Sequence, residues 1–235
     1  MRKLIITGLA LIAAMASVAQ NIQLHYDFGS LIYPNQQGER PPVTLTLEQF
    51  RADKWGSWFY FVDVDLSGKF AEGAYTEVAR EFRVGNKGLA AHVEYNGGLN
   101  RGGSFQHAAL LGMAWNWASA DFAKTWSVQL MYKRFFQSYS YTRGYHSVQL
   151  TGVWGLTFAR KRLTFSGFID LWRGEKARDK GKGMLVVMTE PQLWYNVTPH
   201  FSVGTEWEVS NNFVYNTYDD TSFFFNPTLA VKWNF

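Results

Sequence analysis

Three small groups of residues in this sequence have types and spacings that could do chemistry. Glu206 and Glu208 are two positions apart. On an extended strand their carboxylates would share a face at about 7 Å, a separation at which paired acids can act on a sugar. His146 and Ser147 set a base beside a hydroxyl. Neighbours on a regular strand point to opposite faces, so these two cannot form a nucleophile–base pair. Asp63 with Asp65, and Asp219 with Asp220, offer oxygens to a hard cation, yet neither pair has the ligand spacing of an established Ca²⁺ loop. No G-x-S-x-G, H-E-x-x-H or P-loop pattern is present. There is no Cys, which excludes disulfides and thiolate metal sites. The reading is of a non-enzyme with no cofactor and no metal, whose chemistry is recognition of a solute.

The elements that must position these residues are strands. In the last ten residues, Pro227, Leu229, Val231, Trp233 and Phe235 fall on one face and Asn226, Thr228, Ala230, Lys232 and Asn234 on the other. That is period-two alternation to the end of the chain. An apolar face meeting lipid and a polar face meeting a wet lumen explain an ending in Trp-x-Phe, whereas a soluble edge strand does not. Twelve such segments can be counted, at about 21–29, 42–52, 57–66, 73–84, 88–97, 105–118, 124–136, 145–159, 161–173, 183–196, 200–211 and 222–235. Connections alternate. Those at 30–41, 67–72, 98–104, 137–144, 174–182 and 212–221 are long or rich in Gly and charge; those between them are short. The fold expected is a single 12-stranded antiparallel transmembrane β-barrel, with short periplasmic turns, longer outer loops and both termini periplasmic.

Composition agrees. Aromatic residues make up 17% of the chain, ten of them Trp, as interfacial girdles require. Mean hydropathy is −0.19, too polar for a helical membrane protein. The one long apolar run, Leu4 to Val18, follows Arg2-Lys3 and precedes a small-residue site at Ala19. It reads as a signal peptide over 1–19, too short to span a bilayer, with the barrel over 20–235. Cleavage would lower the net charge from +4 to +2, which argues against a nucleic-acid partner.

Placing the apolar face of each strand toward lipid fixes the lumen. Asp63, Asp65, Asp170, Glu190, Glu206 and Glu208 form its expected polar wall, with Glu94 and Lys133 beside them. Phe59, Phe61, Phe168, Trp172 and Trp194 form an expected stacking surface. Lys133 and Lys232 are the inward bases. The segment 73–84 stays unassigned, because Tyr75, Glu77 and Glu81 share one face while Val78, Arg80 and Phe82 share the other. Trp126, Phe201, Trp233 and Phe235 would mark the periplasmic interface, and Tyr26, Phe28 and Tyr95 the outer one.

Several stretches carry a resemblance: Asn21-Ile22-Gln23-Leu24-His25-Tyr26-Asp27-Phe28-Gly29, Asp53-Lys54-Trp55-Gly56-Ser57, Phe61-Val62-Asp63, Glu94-Tyr95-Asn96-Gly97-Gly98, Phe165-Ser166-Gly167-Phe168-Ile169-Asp170, Glu190-Pro191-Gln192-Leu193-Trp194 and Glu208-Val209-Ser210-Asn211-Asn212-Phe213. Together they resemble an uncharacterised outer-membrane family classed only as a domain of unknown function. That family is in turn similar to the Tsx-type nucleoside-specific channels, through the Trp-Gly and aromatic-Phe-Val-Asp strand, the Phe-x-Gly-Phe-x-Asp strand and the closing aromatic strand. The resemblance implies a narrow twelve-stranded barrel that passes nucleosides; no nucleoside-contacting residue carries over position by position.

The function expected is a passive outer-membrane channel for small polar or heterocyclic solutes, nucleosides first, with an acidic, aromatic-lined lumen. The alternative is a closed barrel serving a structural or surface role, which cross-lumen pairing of Lys133 and Lys232 with acids would favour. An outer-membrane enzyme acting on lipid is a third reading without a nucleophile set. Expected partners are outer-membrane lipid and lipopolysaccharide, the barrel-assembly machinery through Phe235, and a small-molecule solute. The bases between Arg173 and Lys182 are candidates for lipopolysaccharide phosphates.

Overall fold

A computed structural model describes residues 20–68, 70–139, 143–176, 181–213 and 223–235. The signal-peptide segment 1–19, the pair Asp219-Asp220 and part of the basic loop after Arg173 lie outside the described residues.

The chain forms one closed antiparallel sheet. Its strands are β1 (Asn21–Asp27), β2 (Val43–Ala52), β3 (Gly56–Ser67), β4 (Phe70–Arg83), β5 (Leu89–Asn100), β6 (Gly103–Ser104), β7 (Ala108–Ala118), β8 (Lys124–Phe135), β9 (Tyr145–Phe158), β10 (Leu163–Glu175), β11 (Gly183–Thr189), β12 (Gln192–Asn196), β13 (Phe201–Asn211) and β14 (Phe223–Asn234). β11 and β12 are one stave broken at Glu190-Pro191. Both halves pair with β10 and β13 in unbroken register, and Pro191, which lacks an N–H, marks the gap. β6 only folds back on β5. Twelve staves therefore close the ring, β14 pairing with β1 from Asn21↔Asn234 to Asp27↔Thr228. The Phe235 N–H also bonds to the Gln20 carbonyl at 3.0 Å. β1 begins and β14 ends at the end that carries the short connections, here the turn end; the opposite end is the loop end.

Burial follows the alternation. On β1, Asn21, Gln23, His25 and Asp27 are buried while Leu24 and Tyr26 are exposed. On β14, Leu229, Val231 and Trp233 are exposed outside, and Asn226, Thr228 and Ala230 are buried inside. An ordinary soluble domain inverts this arrangement, because water there lies outside; here the apolar groups stand on the outer wall. Trp115, Trp117, Trp126, Trp154 and Phe165 cluster on that wall near the turn end, with Trp117 and Trp126 stacked and Trp115 and Trp126 edge to face.

Two expectations about connections need correction. The 67–72 connection is not a long loop: β3 and β4 run on to a tight hairpin, with Ser67 opposite Phe70. A bulge at Asp65/Leu66 adds the twist that this extension needs. The 30–41 connection contains two short helices, α1 (Gly29–Ile32) and α2 (Pro34–Gln37).

Register also settles the unassigned segment. Tyr75 lies opposite Asp63 and Glu77 opposite Phe61, so Tyr75, Glu77 and Glu81 face the lumen. Arg80 faces outward. It is paired with Asp53 at 2.9 Å and lies 5.0 Å from the ring centroids of both Trp58 and Phe82. Apolar neighbours cover the stem while the charge reaches the turn end, where Asp53 receives it.

Candidate functional site

The lumen wall carries an aromatic ladder. Phe59 and Phe61 project inward from β3, Tyr75 from β4, and Phe105 from the strap between β6 and β7. Successive ring centroids are 6.0, 6.1 and 6.0 Å apart. The ladder rises from the turn end toward the loop end, because β3 ascends and its register carries it onto β4. All four rings are half-buried, so each keeps a surface toward the lumen.

Carboxylates stand beside the ladder. Asp63 accepts a hydrogen bond from Thr46 at 2.5 Å and Asp65 one from Thr44 at 2.9 Å, so these acids bond to separate strand neighbours. Tyr75 donates to Glu77 at 2.8 Å. Gln192 donates to Glu206 at 2.5 Å. Glu94 shares His92 with Glu81, at 2.9 and 3.3 Å. Asp170 accepts from Thr151. The Glu190 carboxylate makes no hydrogen bond or ion pair among the described residues; its neighbours in electrostatic reach are Glu206, Glu208, Asp63 and Glu77. Those acids stand on staves from both sides of the ring, so the wall converges across the lumen.

The lysines do not neutralise it directly. Lys133 donates to Gln149 at 2.7 Å and lies 4.8 and 4.9 Å from the centroids of Trp172 and Phe135. Lys232 lies 4.0 Å from the centroid of Trp194. Among the described residues neither is within ion-pair distance of a carboxylate. Each is held by a ring instead, an interaction worth about 0.5–2 kcal/mol.

The mouth at the loop end is different. Arg40, just beyond α2, turns into the barrel and bonds to Asp27 on β1 at 2.9 Å and to Glu208 on β13 at 2.7 Å. Glu208 also accepts from Asn226 at 2.9 Å. Burial opposes the charge on Arg40, and Glu208 and Asp27 more than offset it, so its pKa stands above the ordinary guanidinium value. On the far side of the mouth, Ala108, Leu110, Met131 and Phe135 form an apolar cluster with Tyr145 and Trp172 packed on it.

The expected site residues therefore divide. Asp63, Glu190 and Glu206 come together around the middle of the lumen, with Phe168 beside Glu190, whose N–H bonds to the Phe168 carbonyl, while Phe59 and Phe61 lie on β3 nearer the turn end. Glu94, Lys133 and Asp170 form a second group, within electrostatic reach of Glu77. Trp172 packs between Lys133 and Phe213. Trp194 is 0% exposed, donating to Gln192 and covered by Lys232, so it offers no face to a solute. Glu206 and Glu208 have separate partners rather than a shared one. His146 is exposed and Ser147 buried, on opposite faces as strand geometry requires. Sequence reasoning missed Tyr75, Glu77 and Phe105, and also Arg40. The pairing of β4 with β3 identifies the first two; nothing local marks a single base in a polar loop.

A twelve-stave antiparallel barrel with an apolar outer wall and a charged lumen has the architecture of a transmembrane β-barrel. The family described as "Domain of unknown function (DUF5020)" matches residues 19–235, and the chain belongs to it. Among solved structures, the NanC porin superposes with a TM-score of 0.58 at 11% identity, over 92% of this chain and 99% of that one. The KdgM porin gives 0.49 at 14% identity, with the same coverage. No curated protein matches the sequence.

Proposed function

We propose that this protein is a passive outer-membrane channel that prefers cations and neutral ring-bearing solutes, with nucleosides the first class to test. The observation that carries this reading is the half-exposed ladder Phe59–Phe61–Tyr75–Phe105 beside carboxylates that the two lumen lysines do not pair. A flat heterocycle can stack on successive rings while the acids accept its N–H and O–H groups. A lumen with this excess of acid repels anions. In this reading the 1–19 segment is a cleaved export signal and the loop end faces outward. Phe235 is what the assembly machinery reads, and the outer wall meets outer-membrane lipid. The Tsx resemblance supports nucleosides, and the likeness to a porin fold supports a channel.

The Arg40 bridge favours a second reading, a barrel closed at its mouth with a structural or surface role. One experiment separates the two: single-channel recording of the refolded barrel in a planar bilayer with added adenosine or uridine. Small cation-selective steps with saturable nucleoside block are expected. Steps without block would discard the nucleoside assignment, and no steps from inserted barrel would leave the closed reading.

A further inference from the structure

The outer wall is apolar almost everywhere at the loop end. Leu185, Phe223, Phe225, Tyr26 and Leu99 are exposed there. A basic cluster stands out on three adjacent staves. Arg134 on β8 lies opposite His146 on β9, both on outward positions. Arg173 on β10 is the next outward position above Leu171, which lies opposite Leu150. Arg134 and Arg173 are thus two staves and one pleat apart, a Cα separation of about 12 Å from strand spacing and rise.

Their charges are available. The Arg134 guanidinium makes no hydrogen bond or ion pair among the described residues. Arg173 is exposed, and among the described residues its guanidinium bonds to the Gly181 carbonyl at 3.2 Å. The acid on this face, Glu175, is bonded to Arg143. The Tyr132 hydroxyl and His146 Nδ1 are hydrogen-bonded between the two arginines, adding polar groups at the same height. Directly below lie Leu130, Val148 and Leu150, exposed by 60%, 56% and 43%. Cations above an apolar skirt have the layering of an anionic lipid, headgroup over acyl chains. Arginine forks suit phosphate oxygens, and desolvation at a membrane interface strengthens such pairs.

We infer that Arg134 and Arg173, with His146 and Tyr132 between them, form a lateral site for a lipid bearing two phosphate groups, its acyl chains lying on Leu130, Val148 and Leu150. Two separated guanidinium groups favour a bisphosphorylated headgroup over a single phosphate. The site rests on the membrane placement of the barrel and not on transport.

The test is native mass spectrometry of the refolded barrel in neutral detergent, with bisphosphoryl lipid A as probe. Monophosphoryl and fully dephosphorylated lipid A, and inorganic phosphate, serve as comparators. One retained bisphosphoryl lipid is expected, bound at least tenfold more tightly than the dephosphorylated form. Inorganic phosphate should not compete at equal concentration. R134Q/R173Q should weaken retention at least tenfold, while R51Q/R83Q, at the turn end, should leave it unchanged. Equal retention by R134Q/R173Q, or of the dephosphorylated lipid, would overturn the site, as would equal loss in both double variants. Heat-modifiable gel mobility shows that each variant is folded. Liposome flotation tests membrane placement separately: a barrel that does not float defeats the membrane reading, and one that floats without retaining the lipid defeats only this site.

Discussion

The mouth and the middle of the lumen use the same residue types in opposite ways. At the mouth, Arg40 crosses to two carboxylates, Asp27 and Glu208. Elsewhere along the staves, Lys133 and Lys232 lie over rings, and in the middle the Glu190 carboxylate has no hydrogen-bonded partner among the described residues. The difference is one of origin. Arg40 comes from a loop and can enter along the barrel axis until it meets two acids. The lysines come from the staves themselves, where a neighbouring ring is closer than the opposite wall. A narrow barrel can thus be tied at one end and keep an electrostatically unbalanced centre. The lesson for charged lumens is that counting acids and bases misses the deciding quantity, which is whether an element outside the sheet brings them together.

Four experiments break or sharpen this comparison. Neutralising the middle should have the largest effect. The variant D63N/E190Q/E206Q should lower cation-over-anion permeability about tenfold, equivalent to about 1.4 kcal/mol, read from reversal potentials in a salt gradient. An unchanged ratio would mean that the mouth sets selectivity. Next, Phe61→Ala removes the central rung of the ladder. It should weaken nucleoside block by about 1 kcal/mol or more, the usual worth of a base–aromatic stack, with ion selectivity retained. At the mouth, Arg40→Ala should raise unitary conductance about twofold. It should also lower the gel-shift temperature, because two carboxylates lose a partner at a cost of about 1–3 kcal/mol. If R40A conducts like wild type, the bridge does not bound the pore.

The smallest effect belongs to a third arginine pair, outside the lumen. The hydrogen bond from Arg80 holds the Asp53 pKa down to about 2 from 3.8. A depressed pKa gives stability that is present above the ordinary value and is lost as pH falls through the lowered one. The gel-shift temperatures of wild type and D53N should therefore differ at neutral pH and converge as pH falls from 3.8 to about 2. With Asp53 partly open to water at the turn end, this single pair should contribute less than the Arg40 bridge to two carboxylates.

Much of the fold was legible because a barrel writes itself in a period of two. The Trp233/Phe235 face, the inward acids of β3 and the outward rings of β8 each follow from parity alone. Strand 4 was not legible, because Arg80 sits among apolar residues on the outward face and reverses the local hydrophobic signal. Its partner Asp53, twenty-seven positions away, explains it. Parity places Trp194 on the inner face, yet Lys232 covers it, and parity carries no information about which inward groups cover one another.

The sequence by itself determined the staves and the facing of all but β4, since each is a property of one strand and its two solvents. Only the tertiary structure decided which charges meet. Ring closure brings β1 beside β14 and sets β3 across from β13, and the α1–α2 loop then lowers Arg40 between Asp27 and Glu208. The Arg40–Glu208 contact joins residues 168 positions apart, and a local alternation cannot encode a distance across a closed barrel.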